Sequence, residues 1–379
     1  MSNTFGERFK LTTYGESHGL AVGAVIDGCP SGLTIDEDAI RRDLARRRQG
    51  APRQEEDEVE WLSGIRNDAS GMTTLGSSIA FLVRNKNTRS EDYDPLADCY
   101  RPGHADYTYQ QKYGLRDHRG GGRASARETV ARVVAGAIAK QLIAPVQIHA
   151  EMEVSNSSPD LGEVDARRAD GGVCDTHGGI VSCRITGLPA GIGDPVFNKL
   201  NAQLASAMMS IPSAIGFEMG IGFAAATMKG SEYIDRWNDC LSKDAPATQT
   251  ILPDRQGAAL STAEINQLAK KQSNLPDRKG TALSTAEIKS NPAKNQAITK
   301  TNHCGGIQGG ISNGMPVEFR VAFHPVVTLP QPVECLTTDG KLRTLQVTGR
   351  HDRCQVPRAA VVVEAMAAMV IADYLLDNR

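Results

Sequence analysis

The chain has 379 residues, of which 40% are hydrophobic and 23% charged, and its formal net charge is −2. This balance suits a globular protein with a sizeable core and excludes the chain as a whole as a polyanion binder, so attraction for anions must come from local arginine clusters. The eight cysteines are scattered without a Cys-x-x-Cys pair, which excludes a disulfide framework and a zinc site and predicts reduced thiols in a cytosolic chain.

The N-terminal run to Gly19 has no apolar core of signal-peptide length, so a soluble, cytoplasmic protein without a membrane partner is expected. Phe9–Thr13 reads as a strand, Tyr14–Gly19 as a loop and Ala21–Asp27 as a second strand. Thr34-Ile35-Asp36-Glu37 fits a capping box, opening a helix to about Arg48 with Ile40 and Leu44 inward and three arginines in its last turn, where the helix dipole favours cations. Ser78–Val83 is a further strand. Gly120-Gly121-Gly122 leads into a helix over Ala124–Leu142, with Val130, Val133, Val134, Ala137 and Ile138 at helical spacing. Strands follow near Val146–Glu151, Ile180–Ile185, Pro316–Phe323 and Thr344–Thr348. The chain closes on an Ala/Val/Met-rich helix from about Pro357, whose apolar stretch Ala359–Leu376 is interrupted by Glu364 and Asp373 and so predicts a buried helix rather than a membrane span. Short strands mixed with a few helices point to α+β rather than a regular βαβ wind.

One stretch breaks the pattern. Leu-Pro-Asp-Arg-Gln-Gly-Ala-Ala-Leu-Ser-Thr-Ala-Glu-Ile at 252–265 recurs almost unchanged at 275–288. The surroundings, about 240–300, are polar and rich in Lys, Asn, Gln, Ser and Pro. The reading is one catalytic domain over 1–379 with a solvent-exposed, duplicated insertion that carries no chemistry.

Five of the eight histidines sit beside Gly, Arg, Asp or Asn: His18 in Gly15-Glu16-Ser17-His18-Gly19, His104 in Arg101-Pro102-Gly103-His104-Ala105-Asp106, His118 in Arg116-Asp117-His118-Arg119-Gly120, His303 in Asn302-His303-Cys304-Gly305 and His351 in Gly349-Arg350-His351-Asp352. Glycine lets backbone approach a ligand, arginine grips carboxylate or phosphate, and histidine moves protons near neutral pH. Together they describe an anion site containing acid–base groups. Any single histidine could equally be a hydrogen-bonded loop residue, and the triple glycine could be a plain turn; it is the recurrence that counts. The arginine run Arg41, Arg42, Arg46, Arg47, Arg48 and Arg53 taken alone reads as a solvated helix face. The acidic residues Glu55 to Glu60 that follow it, and an aromatic content of 5%, argue against a nucleic-acid partner. Neither a P-loop nor a dinucleotide fingerprint is present.

Three of these motifs carry a resemblance. Thr12-Thr13-Tyr14-Gly15-Glu16-Ser17-His18-Gly19, the run from Tyr100-Arg101-Pro102-Gly103-His104-Ala105-Asp106 through Gly120-Gly121-Gly122-Arg123-Ala124-Ser125-Ala126-Arg127-Glu128-Thr129, and Arg350-His351-Asp352 ahead of an Ala-rich helix with Glu364 resemble the chorismate synthase family, in the family's order and over most of the chain. The resemblance implies helices sandwiched between antiparallel β-sheets, a homotetramer, and trans-1,4-elimination of phosphate from 5-enolpyruvylshikimate 3-phosphate with reduced FMN and no net redox change. It implies that His18 protonates the departing phosphate, that His104 protonates or neutralises the reduced flavin, and that Asp352 assists removal of the C6 proton through flavin N5. Ser17 and Ser125 would give hydrogen-bonding support. Arg123, Ala124, Ser125, Pro212, Ser213, Gly309, His324, Pro325, Val326, Val327, Thr328 and Arg350 fall where the family contacts FMN. Arg47 and Arg53 fall where it places arginines near the substrate phosphate or a reducing nucleotide such as NADPH, with Arg127 a further clamp. His324-Pro325-Val326-Val327-Thr328 stands where the family usually has Lys-Pro-Thr-Ser-Ser, which removes two hydroxyls. With no nucleotide fingerprint, an external source of flavin reduction is expected. The competing expectation is a non-catalytic module that binds phosphorylated ligands or RNA with the same arginines.

Overall fold

The computed structural model describes residues 3–49, 57–69, 71–86, 88–153, 175–238, 298–329, 331–346 and 354–377. Arg53, Arg350, His351, Asp352 and both duplicated segments lie outside them. Met1–Asp235 with Thr301–Arg379 forms one compact unit, and Arg236–Lys300 a second.

Within the first unit, strand β15 (Val317–Phe323) shows how sequence sorts into faces. Val317, Phe319, Val321 and Phe323 are buried and the residues between them half-buried, as the two-residue period of a strand requires. β15 belongs to a four-stranded antiparallel sheet with β10 (Gln147–Met152), β11 (Gly179–Thr186) and β12 (Ala214–Met219), in the order β10-β11-β15-β12. A five-stranded antiparallel sheet takes β1 (Thr4–Phe5), β2 (Lys10–Tyr14), β3 (Ala21–Asp27), β5 (Glu60–Ser63) and β8 (Ile79–Arg84) in the order β1-β2-β3-β8-β5. It buries Leu11, Val22, Ala24, Ile26, Ile79, Phe81 and Val83. Smaller sheets join β4 (Thr34–Ile35), β7 (Gly71–Thr74) and β6 (Ile65–Asp68), and β17 (Leu342–Leu345), β16 (Val333–Thr337) and β9 (Cys99–Tyr100); β13 (Ile307–Gln308) and β14 (Ile311–Ser312) make a hairpin.

The helices α1 (Glu37–Arg48), α3 (Thr129–Leu142), α4 (Leu200–Met209) and α6 (Val356–Asp377) fill the space between the two larger sheets, while α2 (Asp106–Tyr113) and the short α5 (Gly230–Tyr233) lie in connections. Helix α3 packs on β2, β3 and β8, α6 packs on β10 and β11, and α3 and α6 pack on each other. The fold is therefore α+β, with helices sandwiched between antiparallel sheets. Where α3 crosses α6 the backbones nearly touch: a Cβ on Gly136 would stand 2.2 Å from that of Ala365. Helix α6 is apolar enough to cross a bilayer by composition, but Val361 to Ala372 are buried inside the protein, as expected from its interrupting acids. One of these, Glu364, is only 2% exposed. Its carboxylate accepts from Arg46 Nη1 and Nη2 at 2.7 Å, Lys140 Nζ at 2.6 Å and Ala150 N at 2.9 Å. Burial pushes its pKa up, but these partners outweigh burial and hold it below the ordinary glutamate value.

Two boundaries differ from expectation. Thr34 pairs in β4 instead of capping α1; the cap is Asp36, whose side chain accepts from Ala39 N at 3.0 Å. Helix α3 starts at Thr129, not Ala124, because Gly122 has φ +54 and Ser125 is extended, so residues 122–128 form two separate 3-10 turns. The predicted 344–348 strand is β17, ending at Leu345.

Where the chain leaves and rejoins the first unit it is fastened. Asp235 accepts from Thr301 Oγ1 at 2.6 Å, His303 N at 2.8 Å and Cys304 N at 3.0 Å. In the second unit, Trp237 bridges Thr299, and Asn238 N donates to Ile298 O at 3.0 Å.

Candidate active site

The loop after β2 must turn sharply to bring His18 inward. Gly15 allows this with φ +89, since a Cβ there would collide with Ala21 O at 2.2 Å. His18 is 8% exposed and its Nδ1 is hydrogen-bonded to Ser90 Oγ at 3.1 Å. Ser17 Oγ donates to Gly120 O at 3.2 Å, and the Gly120 Cα lies against the His18 ring. Arg123 reaches back to Thr13 Oγ1 at 2.6 Å and to Gly15 O at 3.2 Å. The triple-glycine loop and the His18 loop are thus one assembly, built from segments a hundred residues apart.

Asn85 holds that assembly from behind. Its Nδ2 donates to Glu16 O at 3.0 Å and Gly19 O at 2.9 Å, bracketing Ser17 and His18. Its Oδ1 accepts from Arg127 Nε at 3.0 Å. Arg127 Nη1 pairs with Asp57, which also takes Arg47 Nη1 at 3.4 Å. The Asp57 side chain is fully buried between the two arginines. Arg47 Nε also donates to Thr129 Oγ1 at 2.9 Å. Burial of the Arg47 guanidinium, with Arg127 and Arg358 nearby, pulls its pKa down to about 10 against the attraction of Asp57. It stays charged near neutral pH, so the cluster carries more positive than negative charge.

The second histidine loop is folded around an ion pair. Arg101 grips Asp106 through Nε at 2.8 Å and Nη2 at 3.0 Å, and Asp106 also accepts from Arg101 N at 3.1 Å. Burial raises the Asp106 pKa, and Arg101 more than offsets this, leaving it lowered. Gly103 (φ +72) turns the loop. His104 Nδ1–H donates to Pro102 O at 3.0 Å, so the neutral ring accepts at Nε2, where Thr328 Oγ1 lies 3.0 Å away. A Cβ on Gly103 would meet Val327 at 3.0 Å. Thr176 Oγ1 donates to Val326 O at 2.7 Å, and His324 N donates to Ser213 O at 3.1 Å. Ser213 has φ +70, as Val196 has φ +66 elsewhere, a left-handed conformation that costs a non-glycine residue strain.

The predicted residues therefore fall into two groups. Ser17, His18, Arg47, Arg123, Ala124, Ser125 and Arg127 surround the glycine loop; His104, Pro212, Ser213 and His324 to Thr328 form the other. Arg101 lies 5.9 Å from the Tyr93 ring centre, and Tyr93 packs edge-on against His18, so the groups adjoin. Gly309 sits in the β13–β14 hairpin; its neighbour Gly310 packs against Asp194 and Lys199, and no described contact ties it to either group. His118 Nε2 stands 4.0 Å from Asp94, and His303 Nδ1 donates to Tyr233 O at 2.9 Å. The arginine run is not one solvated face: Arg41 and Arg42 make exposed ion pairs, whereas Arg46 reaches Glu364 and Arg47 reaches Asp57. A depression of about 560 Å³ on the outer face of the four-stranded sheet, lined by His149, Glu151, Arg184, Glu318 and Arg320, includes none of the predicted residues. Sequence reading missed Asp57, Asn85, Ser90 and Tyr93. Asp57 was in view only as part of the acidic run after the arginines.

A helical layer between antiparallel sheets, with histidines and arginines gathered in adjoining loops, makes this an α+β fold with a candidate site for an anionic ligand. The chorismate synthase family model matches residues 9–376. The chorismate synthase of Christiangramia forsetii is 42% identical over 410 residues, covering 100% of this chain and 98% of that one. That of Synechocystis is 40% identical over 409 residues, covering 99% and 98%. A crystal structure of chorismate synthase superposes with a TM-score of 0.63 at 25% identity, covering 99% of this chain and 93% of that one. The chain belongs to the chorismate synthase family.

Proposed function

We propose that this protein catalyses trans-1,4-elimination of phosphate from 5-enolpyruvylshikimate 3-phosphate to give chorismate, as a cytoplasmic homotetramer that requires reduced FMN. The observation that carries this reading is the placement of His18 Nε2 beside Gly120, at the head of the loop bearing Arg123, Ser125 and Arg127. That puts a proton donor next to anion-holding groups. The substrate carries two carboxylates and a phosphate. Arg47, Arg127 and Arg358 outnumber the nearby carboxylates Asp57 and Glu128, and Glu128 is itself paired with Arg132, an excess of positive charge that suits such a ligand. His18 gives its proton to the departing phosphate, a contribution on the order of 10²–10⁴ in rate. The fixed arginines favour the charge that develops on the leaving oxygen.

The second group fits a flavin in part. The strained Ser213 joined to His324, and the methyl surface of Val326 and Val327 beside the His104 loop, offer backbone groups and apolar area for a planar ring. Pro212, Ser213, His324 to Thr328 and, from the first group, Arg123 to Ser125 would hold it. Reduced FMN held by these residues would supply electron density to the substrate without net oxidation. His104, its Nδ1 committed to Pro102 O, holds or releases a proton at Nε2. By resemblance, Arg350 and Asp352 complete the site, with Asp352 assisting C6 proton removal, and Arg53 joins the phosphate contacts. An external reductase is the expected electron source, with NADPH as the ultimate donor.

The test is anaerobic assay of the purified protein with FMN, dithionite and substrate. Stoichiometric release of phosphate with chorismate is expected. Folded, flavin-bound protein that releases none would refute the assignment.

A further inference from the structure

Ser90 has no part in the reaction above, yet it touches the reacting imidazole. Its Oγ is 3.1 Å from His18 Nδ1. Three residues on, Tyr93 meets the His18 ring edge-on, with centroids 5.0 Å apart and planes at 80°. Elsewhere on the ring, Gly120 is so close that a Cβ would come within 2.4 Å of Cδ2 and 2.5 Å of Nε2. The imidazole is therefore confined to one orientation, with Nδ1 toward Ser90 and Nε2 toward the glycine loop.

A neutral imidazole carries one N–H, and a serine hydroxyl can accept it at Nδ1 or donate to a bare Nδ1, so the contact itself is compatible with both tautomers; only the first leaves Nε2 as the nitrogen that exchanges the proton. We propose that Ser90 is a positioning residue for His18: its hydroxyl oxygen accepts the Nδ1 proton, which leaves Nε2, beside Gly120, as the nitrogen that gains and loses the catalytic proton. This rests on His18 being the acid of the phosphate elimination. In that step the Nε2–H bond breaks, its electron pair stays on the ring and the proton passes to an oxygen of the departing phosphate. The Nδ1–H to Ser90 bond persists throughout. The spent ring then holds its lone pair on the loop side and is reprotonated there. With the opposite tautomer the ring would have to be recharged at Nδ1, on the side closed by Ser90. Tyr93 supports the arrangement by limiting rotation of the ring.

Histidine-selective ¹⁵N labelling reads the tautomer in the resting protein, without substrate or flavin; a His18→Gln variant identifies the resonance. Neutral His18 protonated on Nδ1 is expected, and protonation on Nε2 would overturn the proposal. Loss of one tautomer-fixing hydrogen bond in Ser90→Ala should lower kcat about tenfold and leave KM within about twofold. Ser90→Thr, which keeps the hydroxyl, should stay within about threefold of the parent protein. An unchanged kcat in Ser90→Ala, or a loss confined to KM with the ¹⁵N shifts unmoved, would also overturn it. Should Ser90→Ala not fold, the parent spectrum and Ser90→Thr decide the matter. Absence of phosphate release by the parent protein would refute the reaction, while the tautomer measurement would still stand.

Discussion

Arg127 donates its Nε–H to Asn85 Oδ1 at 3.0 Å. Because arginine only donates, this contact fixes which way the amide faces. The two Nδ2 hydrogens are left for Glu16 O and Gly19 O, on either side of His18. An arginine expected to clamp substrate thus also sets the height of the loop that carries His18. Asn85→Ala should reduce turnover about 10- to 100-fold through misplacement of His18, at a stability cost of about 1–2 kcal/mol. Turnover and urea unfolding measured on one preparation separate the two effects.

His104→Ala should lose most turnover, on the order of 10²–10⁴, with an unchanged circular dichroism spectrum and melting profile. Thr328→Val, which removes only the hydroxyl at Nε2, should cost about three- to tenfold. Near-parental rates in His104→Ala would mean that its role has been misassigned.

Glu364 sits at 2% exposure among Arg46, Lys140 and Ala150 N. Its replacement by Gln leaves two cations short of a partner. Both keep Asp43 and some solvent contact, so the expected loss is about 2–3 kcal/mol, below that of a fully sealed pair. Denaturant titration gives the value.

The Asp235 fastening predicts an acid response. Burial raises its pKa, but hydrogen bonds from Thr301, Cys304 and His303 win and bring it from 3.8 to about 2. A carboxyl depressed in the folded state contributes stability above its unfolded pKa and loses it as pH falls through the folded value. The contribution, about 2 kcal/mol near neutral pH, should fade between about pH 4 and pH 2. The unfolding midpoint of Asp235→Asn should lie below the parent's near neutral pH and converge with it at the acid end.

The same fastening bears on the duplicated stretch. Removal of 252–288 should leave phosphate release largely intact. Loss of activity or of assembly, read by assay and by sedimentation, would show that the stretch contributes to one or the other.

Much of the fold was legible because burial imposes simple periods. Val317, Phe319 and Val321 announced β15, and the acids within α6 announced a buried helix. The start of α3 was not legible, since Arg123 to Glu128 contains no helix breaker; the turn at Gly122 and the extended Ser125 decide it. The histidine loops were visible as motifs, but what holds them was not. Asp57 lies ten residues beyond Arg47 and seventy before Arg127, inside an acidic run that counted in the sequence only against a nucleic-acid partner. Ser90 and Asn85 are single polar residues without periodicity, and only the path of the backbone brings them to His18.

The contact of Gly136 with Ala365 has a consequence for the site. His18 follows β2 in the five-stranded sheet, and Thr328 follows β15 in the four-stranded one. The gap between those sheets is filled by α3 and α6, whose crossing is as narrow as two residues without bulk permit. A single methyl added at Gly136 would pry the layers apart and lengthen the span between the two histidine loops. A residue with no side chain thus acts as the gauge of the spacing between the two sheets.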